Sequence, residues 1–204
     1  MQTQSIWLLH KAEDLLGFVA SPLSLAWWRR TPYPGAGALM DSVVADVSPF
    51  SQVLAPDDVH QAMTSAFPAH FWRNPLALEW LEDVTRLVAA FCRELGVEQC
   101  KVQLDKDRPC VRYHADNVPL RLVCTYRGPG TLWLSEDNLD LKAAEAKGTS
   151  NEDIVLRPHD VHQAGEWDVL VMKGKLANTT PVYHKSPPAR PRDPASLVLK
   201  LDVV

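Results

Sequence analysis

A change in the hydrophobic pattern at Gly96 constrains the fold more than any other feature of the sequence. Before it, apolar residues recur at helical spacing over residues 75–95, and Asn74 stands directly in front of them as a good N-cap. After it, about eight short runs rich in Val, Leu, Tyr and Trp alternate with turns. Such a density of short strands is typical of a β-sandwich, a jelly roll or a barrel. The sequence therefore predicts a long helix followed by a β-rich half.

The whole pattern favours an α+β fold in a single domain that covers residues 1–204. We expect a mainly helical N-terminal part, residues 1–97, packed against a C-terminal double-stranded β-helix of the jelly-roll or cupin-like type, residues 98–204. Within the N-terminal part, residues 56–67 predict a shorter helix, and "PLSLAWWRR" (22–30) fits a short buried strand. A chain of 204 residues with 46% hydrophobic residues can bury one sizeable core.

Charge and composition disfavour several classes of partner. A net charge of −4 gives no overall attraction to nucleic acids or to an anionic membrane, and no apolar run approaches the length of a membrane helix. The N-terminus is a poor export signal, and none of the four cysteines forms a C-x-x-C pair. We therefore expect a cytoplasmic protein with reduced thiols and no nucleic-acid or membrane partner. Exposed edge strands would permit a homodimer.

The residues that carry chemistry stand where a strand should end, in the stretch "RYHADNVPLRLV". His114 and Asp116 are two residues apart, so an extended backbone directs both side chains to the same side. His184 follows much later, at the end of another predicted strand. Two histidines and one carboxylate on one face form the triad that binds Fe(II) and leaves coordination positions open. The alternative is structural: a strand-end histidine, a turn-forming aspartate and a surface histidine.

A second group of potential ligands occurs in "RPHDVHQ" (157–163). It contains His159, Asp160 and His162, which could bind zinc or another transition metal from a turn. A solvated loop explains the same residues without a metal.

Several stretches resemble a known family. "YHADNVPLRLVCTYRGPGTLWL", "WDVLVMKG" and "HKSPP", together with "PLSLAWWRR", are similar to a bacterial family classed as a domain of unknown function. More distantly, the H-x-D…H pattern resembles the cupin and 2-oxoglutarate/Fe(II) dioxygenase superfamily. This resemblance implies a jelly-roll fold with His114, Asp116 and His184 as metal ligands. It implies Fe(II) as the cofactor, with zinc as the alternative, and 2-oxoglutarate as a co-substrate.

One feature of the dioxygenase pattern is missing. Those enzymes place an Arg or Lys on the last strand to hold the co-substrate carboxylate, and the corresponding position here is Pro194. Other cations would have to contact the substrate or co-substrate. The candidates are Arg112, Arg121, Lys173, Arg190 and Arg192.

The sequence thus leaves two main functions open. The first is a mononuclear non-heme Fe(II) oxygenase-like enzyme, with or without 2-oxoglutarate, acting on a small-molecule substrate. The second is a cupin-like metal-binding protein that holds zinc or iron in metal homeostasis without catalysis. A scaffold that retains the roll but binds no metal is a third possibility.

Overall fold

Ten strands and five α-helices occur in the part of the chain that the computed structural model describes, which is residues 6–46, 50–106, 110–188, 190–191 and 193–204. The strands are β1 (Trp7–Leu9), β2 (Leu25–Trp28), β3 (Phe50–Leu54), β4 (Cys100–Asp105), β5 (Leu120–Arg127), β6 (Leu132–Trp133), β7 (His162–Gln163), β8 (Val169–Lys173), β9 (His184–Lys185) and β10 (Leu197–Asp202). The helices are α1 (Ala36–Asp46), α2 (Val59–Ala66), α3 (Pro75–Leu95), α4 (Leu141–Glu145) and α5 (Asn151–Ile154). Short 3-10 turns lie at Ala12–Leu15, Pro56–Asp58, Phe71–Arg73, Glu136–Asn138 and Pro158–Asp160.

The long helix predicted from the sequence is confirmed as α3. The Asn74 side chain accepts a hydrogen bond from the backbone N–H of Leu76 at 3.0 Å, which satisfies one of the unpaired N–H groups of the first turn. Gly96 ends the helix in the left-handed conformation, with φ 65°, which a glycine adopts without strain. The apolar face of α3, including Trp80 and Phe91, is buried in the main core. The helix therefore serves as packing.

The strands form a seven-stranded sheet, in the order β1-β2-β8-β5-β10-β4-β3, and a three-stranded sheet, in the order β7-β6-β9. All neighbours pair antiparallel except β1 and β2, which are parallel. An isolated bridge between His114 and His184 adds one further pairing beside β9. From β4 onward the chain crosses between the sheets several times: β4 and β5 belong to the large sheet, β6 and β7 to the small one, β8 to the large, β9 to the small and β10 to the large. Repeated crossing between two packed sheets is typical of a jelly roll.

The mainly helical N-terminal part also contributes to the large sheet. Residues 1–97 contain the three longest helices, but they also supply β1, β2 and β3, which extend both edges of the large sheet. The β-structure is therefore not confined to residues 98–204. The physical reason is visible at β8, whose five residues are all buried, so that its outer edge requires the pairing that β2 provides.

Two apolar layers hold the fold together. The larger one lies between the α-helices and the large sheet, and the smaller one lies between the two sheets around Trp27 and Trp133. Alternation along β5 sends Leu122 and Cys124 toward the helices, and Arg121 toward the space between the sheets. That interior space is thus apolar beside β2 and β8 but polar beside β5 and β10. None of the described helices is both long and apolar enough to span a membrane.

Candidate metal centre

Backbone hydrogen bonds bring His114 and His184 together, although they are far apart in the sequence. The N–H of His114 donates to the carbonyl of His184 at 3.0 Å, and the N–H of His184 donates back to the carbonyl of His114 at 2.9 Å. This reciprocal pair places the two imidazole rings 4.6 Å apart between centroids. β9 is itself held in place by β6, where Trp133 pairs with His184. The ring positions are therefore fixed by sheet pairing.

Asp116 completes the group. Its Oδ1 lies 3.5 Å from Nε2 of His114, and its Oδ2 lies 3.3 Å from Nε2 of His184. One potential ligand atom from each of the three residues lies within 4.8 Å of the other two. Asp116 and His184 are buried, and His114 is partly exposed. The structure thus brings together the three residues that the sequence analysis selected.

Hydrogen bonds to the backbone determine which ring nitrogens face the carboxylate. Nδ1 of His114 lies 3.0 Å from the carbonyl of Arg112, and Nδ1 of His184 lies 3.2 Å from the carbonyl of Val182. Because a carbonyl only accepts, each Nδ1 must carry the proton. Each Nε2 is then an unprotonated lone pair directed at Asp116. This is the tautomer that a metal-binding histidine requires.

The carboxylate of Asp116 is incompletely satisfied. Its Oδ2 is buried and lacks a hydrogen-bond partner among the described residues. When both Nε2 atoms are unprotonated, they and Oδ2 of Asp116 are all hydrogen-bond acceptors. No hydrogen-bond donor then lies between the three side chains. A buried acceptor left in this state is costly. A divalent metal ion would satisfy all three atoms at once, so this donor set fits a metal.

Arg121 holds the carboxylate of Asp116 in position. One guanidinium nitrogen lies 2.6 Å from Oδ1 of Asp116, while the other two contact Asp202 at 2.6 and 2.7 Å as a fork. Burial by itself raises the pKa of Asp116, but the two imidazoles, which can donate to it from Nε2 when they are protonated, and the charge of Arg121 outweigh burial and hold that pKa well below its usual range. Asp116 in turn raises the pKa of His114, because it accepts a hydrogen bond from Nε2 of the protonated ring, and burial opposes this shift. Asp116 is therefore an ionised carboxylate.

A small cavity of about 60 Å³ in the space between the sheets is lined by His114 and His184 of this group. One water molecule occupies roughly 30 Å³ in the liquid, so this cavity has the volume of about two water molecules. Besides the histidines and Arg121, polar side chains line it, namely Cys110, Thr125, Thr131, Ser186, Ser196 and Lys200. Nζ of Lys200 contacts Oδ2 of Asp105 at 2.5 Å. The cavity is thus a polar space, accessible from the triad, with a cation on β10.

The cations expected to contact a substrate are placed in different parts of the molecule. Arg121 lines the cavity, whereas Arg112 points elsewhere and donates to the carbonyls of Ala144, Ala146 and Thr149. Residues 110–119 are not a regular strand, so regular alternation does not hold Arg112 on the same side as His114. It holds the α4–α5 segment in place.

Two of the remaining three cations, Lys173 and Arg190, do not line the cavity. Lys173 faces the helices, on the opposite side of the large sheet, and donates to the carbonyl of Ser21. Arg190 is exposed in the loop before β10. Arg192 lies outside the described residues.

Sequence reasoning missed a second cation that lines the cavity beside Arg121, namely Lys200. Its signal was present in "SLVLKLD" (196–202), where Leu197, Leu199 and Leu201 are buried in the main core. The residues between them must face the other sheet, which places Lys200 and Asp202 in the polar interior. The inward face of a central strand normally carries apolar residues. Polar residues at such positions therefore indicate a candidate functional site.

The second group of potential ligands separates in the structure. His159 is exposed, and its Nε2 lies 3.5 Å from Asp160. His162 instead stacks on Trp133, with ring centroids 4.1 Å apart. Within the described ranges, His114, Asp116 and His184 are the one group of three or more such ligands.

Comparison of the sequence with models of protein families shows which family this chain belongs to. A family model described as "Protein of unknown function (DUF1826)" matches residues 10–202. The chain belongs to this family. The resemblance to a domain of unknown function is thereby confirmed. No curated protein matches the sequence at a significant level.

Solved structures show distant similarity over most of the chain. Dioxygenase for auxin oxidation 1 from Arabidopsis thaliana, in complex with 2-oxoglutarate, has a TM-score of 0.47 and 7% identity, covering 99% of this chain and 92% of that one. A full-length Neurospora crassa protein in complex with α-ketoglutarate has a TM-score of 0.43 and 11% identity, covering 94% and 77%. The α-ketoglutarate-dependent epimerase SnoN from nogalamycin biosynthesis has a TM-score of 0.44 and 11% identity, covering 94% and 83%.

Proposed function

We propose that this chain is a mononuclear non-heme Fe(II) oxygenase-like enzyme in which His114, Asp116 and His184 bind the metal. One observation carries the proposal: two Nε2 lone pairs and a buried, unpartnered carboxylate oxygen converge beside a cavity. A donor set of two imidazoles and one carboxylate on one side of a metal is typical of non-heme Fe(II) sites. The open side would face the cavity.

The number of ligands favours a reactive metal over a structural one. Structural zinc sites normally have four protein ligands, whereas the described residues provide three here. Three protein ligands leave positions for small molecules. The alternative function, a metal-binding protein that holds zinc or iron without catalysis, uses the same residues and differs in whether O2 is consumed.

The chain's own residues have distinct tasks in the proposed enzyme. A bound Fe(II) would supply the redox chemistry for reaction with O2. Arg121 fixes the direction of Asp116, and the backbone carbonyls keep both Nδ1 atoms protonated so that Nε2 remains available. Lys200 offers a positive charge to an anionic group inside the cavity. Holding and orienting the ligands is the part of the chemistry that the protein supplies.

The proposal includes 2-oxoglutarate as co-substrate on the strength of Lys200. A lysine on the last strand could pair with a carboxylate, replacing the cation absent at Pro194. It would first have to leave Asp105, and the cavity would have to expand beyond its present volume of about 60 Å³. Binding of 2-oxoglutarate is therefore expected to need side-chain movement along β10.

Metal binding is the first test. Protein purified without a His-tag and loaded anaerobically with Fe(II) should bind the metal with at least about tenfold lower affinity after His184→Ala, because one of three ligands is lost. Fe(II) affinity is measured by calorimetry, and folding by thermal unfolding. His60→Ala, at an exposed histidine on α2, is the matched control and should bind normally. Unchanged Fe(II) affinity in His184→Ala would contradict the assignment.

Turnover is the second test. Wild-type protein with Fe(II), O2 and 2-oxoglutarate should form succinate and CO2, and Asp116→Asn should abolish this reaction. Tight zinc binding with no O2 consumption would instead support the non-catalytic metal-binding function. Absence of any bound metal in both wild type and variants would remove both functions.

A further inference from the structure

A second and much larger cavity lies outside the candidate metal centre. Its volume is about 720 Å³, within the range of roughly 300–1,000 Å³ that is usual for small-molecule sites. Three segments surround it, namely residues 19–24, 119–120 and 176–180, together with the end of α3. It faces the helices, because Leu120 belongs to the helix-side core while the next residue, Arg121, lines the metal-side cavity. The two cavities therefore lie on opposite faces of the large sheet.

Lys173 is the charged group of this second cavity. Only 3% of the residue is exposed, and its Nζ donates to the carbonyl of Ser21 at 2.6 Å. Nζ also lies 5.0 Å from the ring centroid of Phe18. An ammonium has three donors, and among the described residues this one makes a single hydrogen bond. A buried cation with unused donors at a cavity wall is suited to an anionic ligand.

The acidic groups near Lys173 do not take up its remaining donors. Glu94 accepts from the backbone N–H groups of Gly17 and Val19 at 2.6 and 2.5 Å, so its carboxylate is already bound. Burial lowers the pKa of Lys173, and the charge of Glu94 opposes this shift. Glu136 lies at the exposed rim, where its Oε1 accepts from the hydroxyl of Thr180. Among the described residues, no carboxylate therefore forms a direct ion pair with the ammonium of Lys173.

A second polar group and an apolar wall define the ligand further. The Oγ1 of Thr179 is buried and lacks a hydrogen-bond partner in the described structure. About half of the wall is apolar, contributed mainly by Val19, Pro22, Leu95, Pro119, Leu120 and Leu176. A ligand that matches both features has one anionic end and a hydrocarbon body.

We propose that this cavity binds a small organic carboxylate, with the carboxylate at Lys173 and Thr179 and the apolar body against the wall. The carboxylate would accept from the ammonium and from the threonine hydroxyl, satisfying both groups. The site is separate from the metal centre and does not depend on the function proposed for it.

Binding of straight-chain carboxylates from butyrate to octanoate tests the proposal, with the corresponding alcohols as neutral probes. Calorimetry on the full chain should show carboxylate binding that weakens at least about tenfold in Lys173→Met, which keeps the apolar stem but removes the charge. Lys175→Met is the matched control, because Lys175 is exposed two residues away, and its affinity should be unchanged. Alcohols should bind more weakly than the carboxylates of equal length.

Two further variants keep the result interpretable. Leu176→Trp, at an exposed residue of the cavity wall, should block binding without removing any polar contact, so it serves if Lys173→Met does not fold. His184→Ala should bind the carboxylates as the wild type does. The proposal is overturned if no probe binds to the wild type. It is equally overturned if Lys173→Met and Leu176→Trp bind normally, or if binding is lost in His184→Ala instead.

Discussion

At the residue scale, Arg121 links the candidate metal centre to the sheet that carries it. One nitrogen of its guanidinium donates to Asp116, and the other two donate to Asp202 on β10. The position of β10 therefore influences the position of the Asp116 carboxylate. A planar fork of donors can make these contacts simultaneously, and a lysine ammonium cannot reproduce them. Arg121 is therefore expected to position the candidate metal ligand Asp116.

Arg121→Lys is expected to weaken Fe(II) binding by about tenfold, since residues that orient metal ligands typically change affinity by roughly 10- to 100-fold. The measurement is Fe(II) affinity by anaerobic titration, with thermal unfolding as a check on the fold. Arg127→Lys is the matched control, because Arg127 ends the same strand but pairs with Asp41 on the helix side. Equal loss of Fe(II) affinity in both variants would argue against a positioning role.

The four cysteines differ sharply in their expected reactivity. Cys110 is exposed, whereas Cys92, Cys100 and Cys124 are buried. Burial raises the pKa of Cys124 to about 12, so the reactive thiolate of this residue is absent at pH 8 and forms only as the pH approaches that value. Iodoacetamide at pH 8 should therefore alkylate native protein once, at Cys110, and denatured protein four times. Peptide mass spectrometry that finds Cys124 modified in folded protein would contradict this.

At the element scale, the loop that carries Asp116 depends on close contact with the turn after β8. The N–H of Lys175 donates to the carbonyl of Asp116 at 2.8 Å. A Cβ at Gly174 would lie 2.2 Å from the carbonyl oxygen of Val118 and 2.6 Å from that of Asp116. Only a glycine allows the two backbones to approach this closely. The end of β8 thus sets the position of a candidate metal ligand.

Gly174→Ala should push the Asp116 loop away from the turn. We expect a loss of about 1–3 kcal/mol in the free energy of unfolding from overpacking, together with weaker Fe(II) binding. Urea unfolding and metal titration measure the two effects. Gly37→Ala is the control: it lies in α1, its Cβ would contact Arg127 at an ordinary 3.6 Å, and alanine favours the helix. Normal Fe(II) affinity in Gly174→Ala would show that this contact does not position Asp116.

Local signals made some elements predictable and left others hidden. Helix α3 was readable because its cap at Asn74, its apolar stripe and Gly96 all lie within one stretch of sequence. The meeting of His114 and His184 was also inferable, since the sequence predicts each of them at the end of a strand, and an isolated bridge joins them in the structure. The structural role of Arg112 could not be inferred from the sequence, because Arg112 donates hydrogen bonds to carbonyls of a segment more than thirty residues away. Contacts that depend on loop shape leave no periodic pattern in the sequence.

At the scale of the whole molecule, the large sheet joins both halves of the chain. β2 pairs with β8 and β3 pairs with β4, so N-terminal strands extend the C-terminal ones on both sides. α3 covers the helix-facing side, where Trp80 and Phe91 share one core with Leu122 of β5. Residues 98–204 by themselves would expose this entire apolar face and two unpaired sheet edges. A single domain over residues 1–204 stays a prediction, which the behaviour of a fragment can test.

The fragment of residues 98–204 is therefore expected not to fold alone, and the full chain should unfold in one cooperative transition. The fragment should show no cooperative thermal unfolding by circular dichroism, because the burial that offsets chain entropy is shared with residues 1–97. Co-expression of residues 1–97 as a separate polypeptide should restore a soluble complex that unfolds cooperatively and binds Fe(II). A fragment that unfolds cooperatively by itself, or a full chain with two separate transitions, would instead show that the roll is an independent unit. The N-terminal strands would then be an addition to it.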